Sequence, residues 1–127
     1  IPMQDWPEPT LLDMLKTIAV ARLLLGGAMN IQAPPNLTPD AYQLLLLAGI
    51  NDWGGVSPLT IDFINPEAPW PKLKELQRVT AEVGMVLRER LAVYPEYITM
   101  YPEYMPVSLR DRILGYVDME GFVREEA

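Results

Sequence analysis

The sequence predicts an α/β fold, and three observations carry that expectation. Segments with the spacing of an amphipathic helix alternate with short runs of strand character. Glycine or proline punctuates nearly every boundary between them. The 127 residues suit one domain, with 50% apolar and 21% charged residues, the balance of a globular chain rather than a disordered tail.

The first helix is expected from about Thr10 to Leu25, with Leu11, Leu15, Ile18 and Leu25 on one side. Thr10 with Asp13 forms a capping-box pattern, and Gly26 with Gly27 stops the helix. A strand-like run follows over Ala28 to Ala33, where Met29, Ile31 and Ala33 alternate with Asn30 and Gln32. Pro34 and Pro35 end it, because neither can donate to a ladder. Thr38, Pro39 and Asp40 read as a helix start, with proline at the first position and an acid near the positive end of the dipole. That helix continues through Tyr42 to Ala48 and closes at Gly49. Ile50 to Trp53 is the second strand candidate. Gly54 and Gly55 lead from it into a long connection through Pro58, Pro66, Pro69 and Pro71. A third helix is expected from Lys72 to Val83 on Leu73, Leu76, Val79 or Thr80, and Val83, ending at Gly84. Met85 to Val93 reads as the clearest strand, and Ser108 to Val117 as the last helix. The tetrapeptide YPEY occurs at Tyr94 to Tyr97 and again at Tyr101 to Tyr104. One duplicated tetrapeptide is no solenoid, and both copies read as loop.

Strands separated by helices of this length cannot be hairpins, so they are expected to be parallel neighbours joined by right-handed crossovers. Three such strands form too small a sheet to bury both faces, and a complete barrel of this type needs about 250 residues. Half of a TIM-type (β/α) barrel is the inference. The chain begins at Ile1 and runs at once into Pro2, which suggests a piece of something longer.

Composition narrows the chemistry. With no Cys and no His, the chain has no disulfide, thiol nucleophile, Cys-ligated metal or imidazole base. Catalysis by these residues alone would have to use carboxylates, amides, hydroxyls, Lys or Arg. The net charge of -7, from 17 acidic and 10 basic residues without a basic cluster, argues against nucleic acid as a partner. Apolar runs interrupted by Arg22 or Gly49 are shorter than the roughly 18 to 20 residues that cross a bilayer. No signal-type segment opens the chain, which reads as cytoplasmic.

In parallel α/β folds, functional groups gather where strands end and loops leave for the next helix. Three clusters meet that rule: Asn30 to Asn36, Asn51 to Pro58, and Glu89 to Tyr94. Asn30 and Gln32 share one face of an apolar strand, and their amides offer neutral donors and acceptors suited to a heteroaromatic ring or the polar end of an amino acid. They could equally be satisfied by neighbouring backbone. Asn51 and Asp52 could contact a ligand or form an Asx turn into the glycines. Gly54, Gly55 and Ser57 lack the spacing of a phosphate loop. Glu89 and Arg90 point to opposite faces and do not pair with each other, so Glu89 needs a partner elsewhere. Trp53 and Trp70 read as packing anchors rather than stacking platforms.

The strings NIQAPPNL (30–37), AGINDWGGVSPLT (48–60), NPEAPWP (65–71) and ERLAVYPEY (89–97) resemble the C-terminal half of the 7,8-didemethyl-8-hydroxy-5-deazariboflavin synthases. These are radical SAM enzymes that make FO, the deazaflavin chromophore of coenzyme F-420. The resemblance runs in order from TIAVARLLLG to DMEGFV. The tyrosine-transferring partner enzyme and the futalosine-pathway enzymes share the ND-GG skeleton but resemble the chain less closely. A non-catalytic half-barrel that binds a ligand or a subunit is a further alternative.

The resemblance implies a radical SAM barrel whose N-terminal half binds a 4Fe-4S cluster through C-x3-C-x2-C and holds S-adenosylmethionine. The implied reaction cyclises a tyrosine-derived adduct of ribitylaminouracil, with loss of ammonia. This chain has none of the cysteines, so the cluster is expected on a missing N-terminal half and the chain alone is expected to be inactive. The resemblance places Asn30 and Gln32 on the adenine side of the S-adenosylmethionine site. Asn51, Asp52, Gly54, Gly55, Ser57, Glu89, Arg90 and Tyr94 would then face the substrate. The implied partners are the missing half-barrel and the tyrosine-transferring subunit or fused domain.

Overall fold

The computed structural model describes residues 2–57 and 59–125. Ile1 and Pro58, named in the sequence reading, lie outside the described residues, as do Glu126 and Ala127. The described chain is mainly helical with little strand. Its helices are α1 (Leu11–Leu25), α2 (Tyr42–Ala48), α3 (Leu73–Glu82), α4 (Pro95–Thr99) and α5 (Val107–Tyr116). Short 3-10 turns occur at Pro35–Leu37 and Pro102–Tyr104. Two compact units divide the chain, Ile1–Val86 and Leu87–Ala127. No helix among the described residues is long and apolar enough to cross a membrane.

In the first unit, α1 begins where its sequence predicts. The Thr10 hydroxyl accepts the Asp13 backbone N–H at 3.2 Å while the Asp13 carboxylate accepts the Thr10 N–H at 3.0 Å, a closed capping box. Hydrogen bonds from the Thr10 side chain and backbone hold the Asp13 carboxyl below its usual range. Only Ile18 of the expected apolar stripe is fully buried, whereas Leu23 and Leu24 are 84% and 80% exposed. α2 packs on both α1 and α3. It contributes Leu45, fully buried, to a core with Leu46, Ile50, Trp53, Leu76 and Val79. Burying a leucine in this way contributes about 2 kcal/mol. Trp53 meets Tyr42 edge to face at 5.9 Å, which makes it the packing anchor that its sequence context suggests.

α2 starts later than expected. Thr38, Pro39 and Asp40 form a turn closed by the Ala41 N–H on the Thr38 carbonyl at 3.0 Å. Ala41, outside helical geometry at φ -125° and ψ 13°, occupies the cap without a side-chain bond. Buried Pro35, Asn36 and Ala41 anchor this stretch, so packing overrides the local start signal.

The first two extended segments are parallel neighbours. Gln32 and Asp52 form a parallel bridge, with Asn51 N–H donating to the Ile31 carbonyl at 3.0 Å and Ala33 N–H to the Asp52 carbonyl at 3.2 Å. The intervening residues carry α2, which gives the crossover connection that a parallel pair requires. The pairing is brief: prolines follow one segment and glycines the other. The third expected strand, Met85 to Val93, is not one. It is extended backbone without a ladder, and it straddles the boundary between the two units. A strand exists only where a neighbour satisfies its N–H and C=O groups, and the backbone bonds of this segment run to unrelated places: Met85 N–H to the Thr80 carbonyl at the end of α3, 3.2 Å, and Val123 N–H to the Glu89 carbonyl at 2.9 Å.

The second unit packs Ile98, Met105 and Val117 with Leu91, Val93 and Ile113. Neither YPEY copy is irregular loop. Pro95 opens α4 and Pro102 opens a 3-10 turn, because a proline at the first helical position loses no hydrogen bond. The rings of Tyr97 and Tyr104 pack edge to face at 5.7 Å. After α5, the Asp118 carboxylate accepts the N–H groups of Glu120 and Phe122 at 2.8 and 3.1 Å. Arg88 bonds both Asp118 and Glu120 and lies 4.1 Å from the centre of the Phe122 ring. Burial would raise the Asp118 carboxyl, but those backbone bonds and Arg88 outweigh it and leave it lowered.

Candidate functional site

The parallel bridge of the first unit gathers five of the sequence-predicted residues. Asn51 accepts the Ile31 backbone N–H on its Oδ1 at 2.8 Å and donates from its Nδ2 to the Asn30 Oδ1 at 3.0 Å. Asp52 accepts the Gly54 N–H at 2.6 Å, the Asx turn foreseen as one alternative for this pair. Gly54 has φ +71°, and a Cβ there would meet the Gln32 amide at 3.5 Å. Asn30, Gln32, Asn51, Asp52 and Gly54 thus form one patch of neutral amides, one carboxylate and bare backbone at the end of the paired segments. Asn30, Asp52 and Gly54 are half-buried, whereas Gln32 and Asn51 are exposed.

Gly55 stands in open space. Ser57 helps build the next turn, its Oγ accepting the Thr60 N–H at 3.2 Å and the Thr60 hydroxyl at 2.7 Å. The third cluster belongs to the second unit. There the Arg90 guanidinium lies 4.3 Å from the centre of the Tyr94 ring and donates to the Leu91 carbonyl at 2.8 Å. Glu89 is exposed to solvent, and no ion pair among the described residues involves it.

Two organising residues escaped the sequence reading. Asp62 accepts the backbone N–H groups of Ile64 and Asn65 at 2.9 and 3.2 Å, the Asn65 amide at 3.2 Å and the Asn36 amide at 2.9 Å. Led by the Ile64 N–H, these bonds hold its carboxyl down at about 2. Asn36, almost fully buried, also donates to the Ala68 carbonyl at 3.2 Å. Asn36 and Asp62 together pin the proline-rich connection beside the exit of the first paired segment. The spacing D-x-x-N at 62–65 was the available local signal for the turn. The second residue missed is Arg22. It donates to the carbonyls of Gly49, Gly26 and Met29 at 2.8, 2.7 and 2.7 Å, and its only trace in the sequence is a charge within an apolar run.

The chain is 52% identical over 124 residues, 98% of its length, to the 7,8-didemethyl-8-hydroxy-5-deazariboflavin synthase of Methanopyrus kandleri. It is 57% identical over 98 residues, 77% of its length, to the enzyme of that name from Methanococcus aeolicus. An FO synthase of Streptomyces coelicolor is 44% identical over 126 residues. The chain is homologous to a C-terminal part of the FO synthases. It spans 36%, 27% and 14% of the length of these three relatives. No family model and no solved structure matches it. The iron–sulfur cluster expected from the FO synthase resemblance does not fit this chain. The sequence has no Cys or His, and no group of three carboxylates able to hold a metal occurs among the described residues.

Proposed function

We propose that this chain supplies part of a cytoplasmic radical SAM enzyme that forms the deazaflavin FO in coenzyme F-420 biosynthesis. The observation that carries this reading is the 52% identity, across 98% of the chain, to a protein named for that synthesis. The substrate is the adduct of tyrosine-derived hydroxybenzyl with ribitylaminouracil, which cyclises with loss of ammonia. The 4Fe-4S cluster and S-adenosylmethionine provide radical chemistry, with the cluster held by residues outside this chain. The chain's own part is to bind, orient and exclude water.

The amide patch is the proposed ligand contact, in the setting of a TIM-type barrel completed by an N-terminal half. Asn30 and Gln32 face the adenine of S-adenosylmethionine, because neutral amides suit a ring edge bearing both acceptors and donors. Asp52, Gly54, Gly55 and Ser57 face the ribityl and pyrimidine parts of the substrate. The proposed partner is a tyrosine-transferring activity, as a fused domain or a separate subunit. The test is to reconstitute the full-length enzyme with its cluster and supply S-adenosylmethionine, a reductant and the adduct. Fluorescent deazaflavin is the expected product. Formation of the adduct from tyrosine, or of a futalosine-pathway product, would overturn the assignment.

A further inference from the structure

The second half of α1 is apolar on nearly every side. From Ile18 to Leu25 its only polar side chain is Arg22, and that guanidinium is committed to the carbonyls of Gly49, Gly26 and Met29. Ile18 is buried, and α1 packs on α2. At about 100° per residue, Val20, Leu23 and Leu24 lie on the side of the helix away from Ile18, and all three are exposed. Val20 and Leu24, one turn apart, line a shallow depression with Lys16, Thr17 and Ala21, a ridge beside a groove of the kind that packed helices interlock. A helix with apolar residues all round belongs between two packed layers, and here one of its two sides is open.

We propose that this outward face, built on Val20, Leu23 and Leu24, is covered by an apolar face of the N-terminal part of the enzyme. The chain matches a C-terminal part of its relatives and spans 36% of the Methanopyrus kandleri synthase, so most of that relative precedes the matched stretch. Among the described residues α1 is the first helix, and it is therefore the first that a preceding part meets. A tethered partner also has the advantage over a separate molecule, because covalent connection raises its effective concentration to the order of millimolar. The inference rests on the proposed completion by an N-terminal half and names the surface which that half covers.

The test uses the full-length enzyme. Leu24→p-benzoylphenylalanine places a photoreactive group on the face, and mass spectrometry of the irradiated protein identifies the peptide that it joins. The expected cross-link is to a peptide of the N-terminal part of the same molecule. A cross-linked dimer, or a cross-link to residues 87–125, would overturn the proposal, because the occupant would then be a second copy or the second unit. Leu23→p-benzoylphenylalanine repeats the test if the first variant does not fold.

A second measurement uses Leu24→Gln, since glutamine is about as good a helix former as leucine and costs little on a face that meets water. The melting midpoint of this variant should fall by about 5 °C or more from that of the unaltered enzyme. A change below about 1 °C would place the face in water and likewise overturn the proposal. Deazaflavin formation by the unaltered enzyme tests the functional reading separately. Product without the N-terminal cross-link overturns this surface alone, and the cross-link without product overturns the functional reading alone.

Discussion

The guanidinium of Arg22 lies against the backbone of Gly49, with Nε donating to the Gly49 carbonyl at 2.8 Å. The approach leaves no room for a side chain, since a Cβ on Gly49 would come within 2.8 Å of the Arg22 Cβ. Gly49 also has φ +123°, which L side chains rarely adopt. One arginine thereby ties the end of α1 to the end of α2. Gly49→Ala should destabilise the fold by about 2 kcal/mol or more. Arg22→Met, which keeps much of the packing but abandons three carbonyls, should cost about 2 to 3 kcal/mol. Urea unfolding midpoints at unchanged slope would check both values.

Gly54 and Gly55 are neighbours in sequence but not equivalent. Alanine at Gly54 would be strained by the positive φ and would crowd the Gln32 amide, whereas alanine at Gly55 meets nothing. Gly54→Ala is expected to weaken binding of S-adenosylmethionine or substrate to the full-length enzyme several-fold, and Gly55→Ala to leave it within about twofold. Equal effects from the two would remove the Asx turn from the site.

Asp62 predicts a pH dependence with a definite sign. Its carboxyl titrates near 2 when folded, against an ordinary value of 3.8. A depressed carboxyl favours the folded state above the unfolded value, and that contribution is lost as the pH falls from about 4 toward 2. The carboxyl carbon of Asp62 should therefore titrate near 2 by NMR. Between pH 5 and pH 2.5 the Asp62→Asn variant should lose less of its unfolding midpoint than the unaltered protein.

The chain on its own should self-associate. Leu23 and Leu24 on α1, and Phe63 and Ile64 in the proline-rich connection, are each at least 80% exposed, more apolar display than an isolated soluble chain usually tolerates. Light scattering of the purified chain should report oligomers or aggregates. A monodisperse, cooperatively melting monomer would contradict this.

Much of the helical framework was readable residue by residue. Thr10 with Asp13, Gly26 and Gly84 are local signals whose geometry depends on a few neighbours, and α1, α3 and α5 fall within a residue or two of expectation. The crossover between the paired segments was also readable, since a helix-length interval forbids a hairpin. Met85 to Val93 was not, because alternation describes a strand's faces without supplying the neighbour that makes it one. The site divides in the same way. The sequence brought the amides to notice, but it offered one reading for Asn51 and Asp52 alike. In the fold only Asp52 makes the local turn, while Asn51 reaches back 20 residues to Ile31. The Asn36 to Asp62 contact, 26 residues apart, has no periodic signature at all.

The brevity of the parallel pairing at Gln32 and Asp52 has a consequence for register. A long ladder resists slippage because every rung must break together, and a single bridge has no such protection. Here a side chain supplies what ladder length does not. The Asn51 side chain accepts the Ile31 N–H and donates to Asn30, while its own backbone N–H bonds the Ile31 carbonyl, so a slip by one position would offer isoleucine, which has no acceptor, or aspartate, which has no donor for Asn30. Inserting or deleting one residue after Gly49 should therefore derange the two segments more than the same change inside the turn at Thr38 to Ala41, although both alter the crossover by equal length.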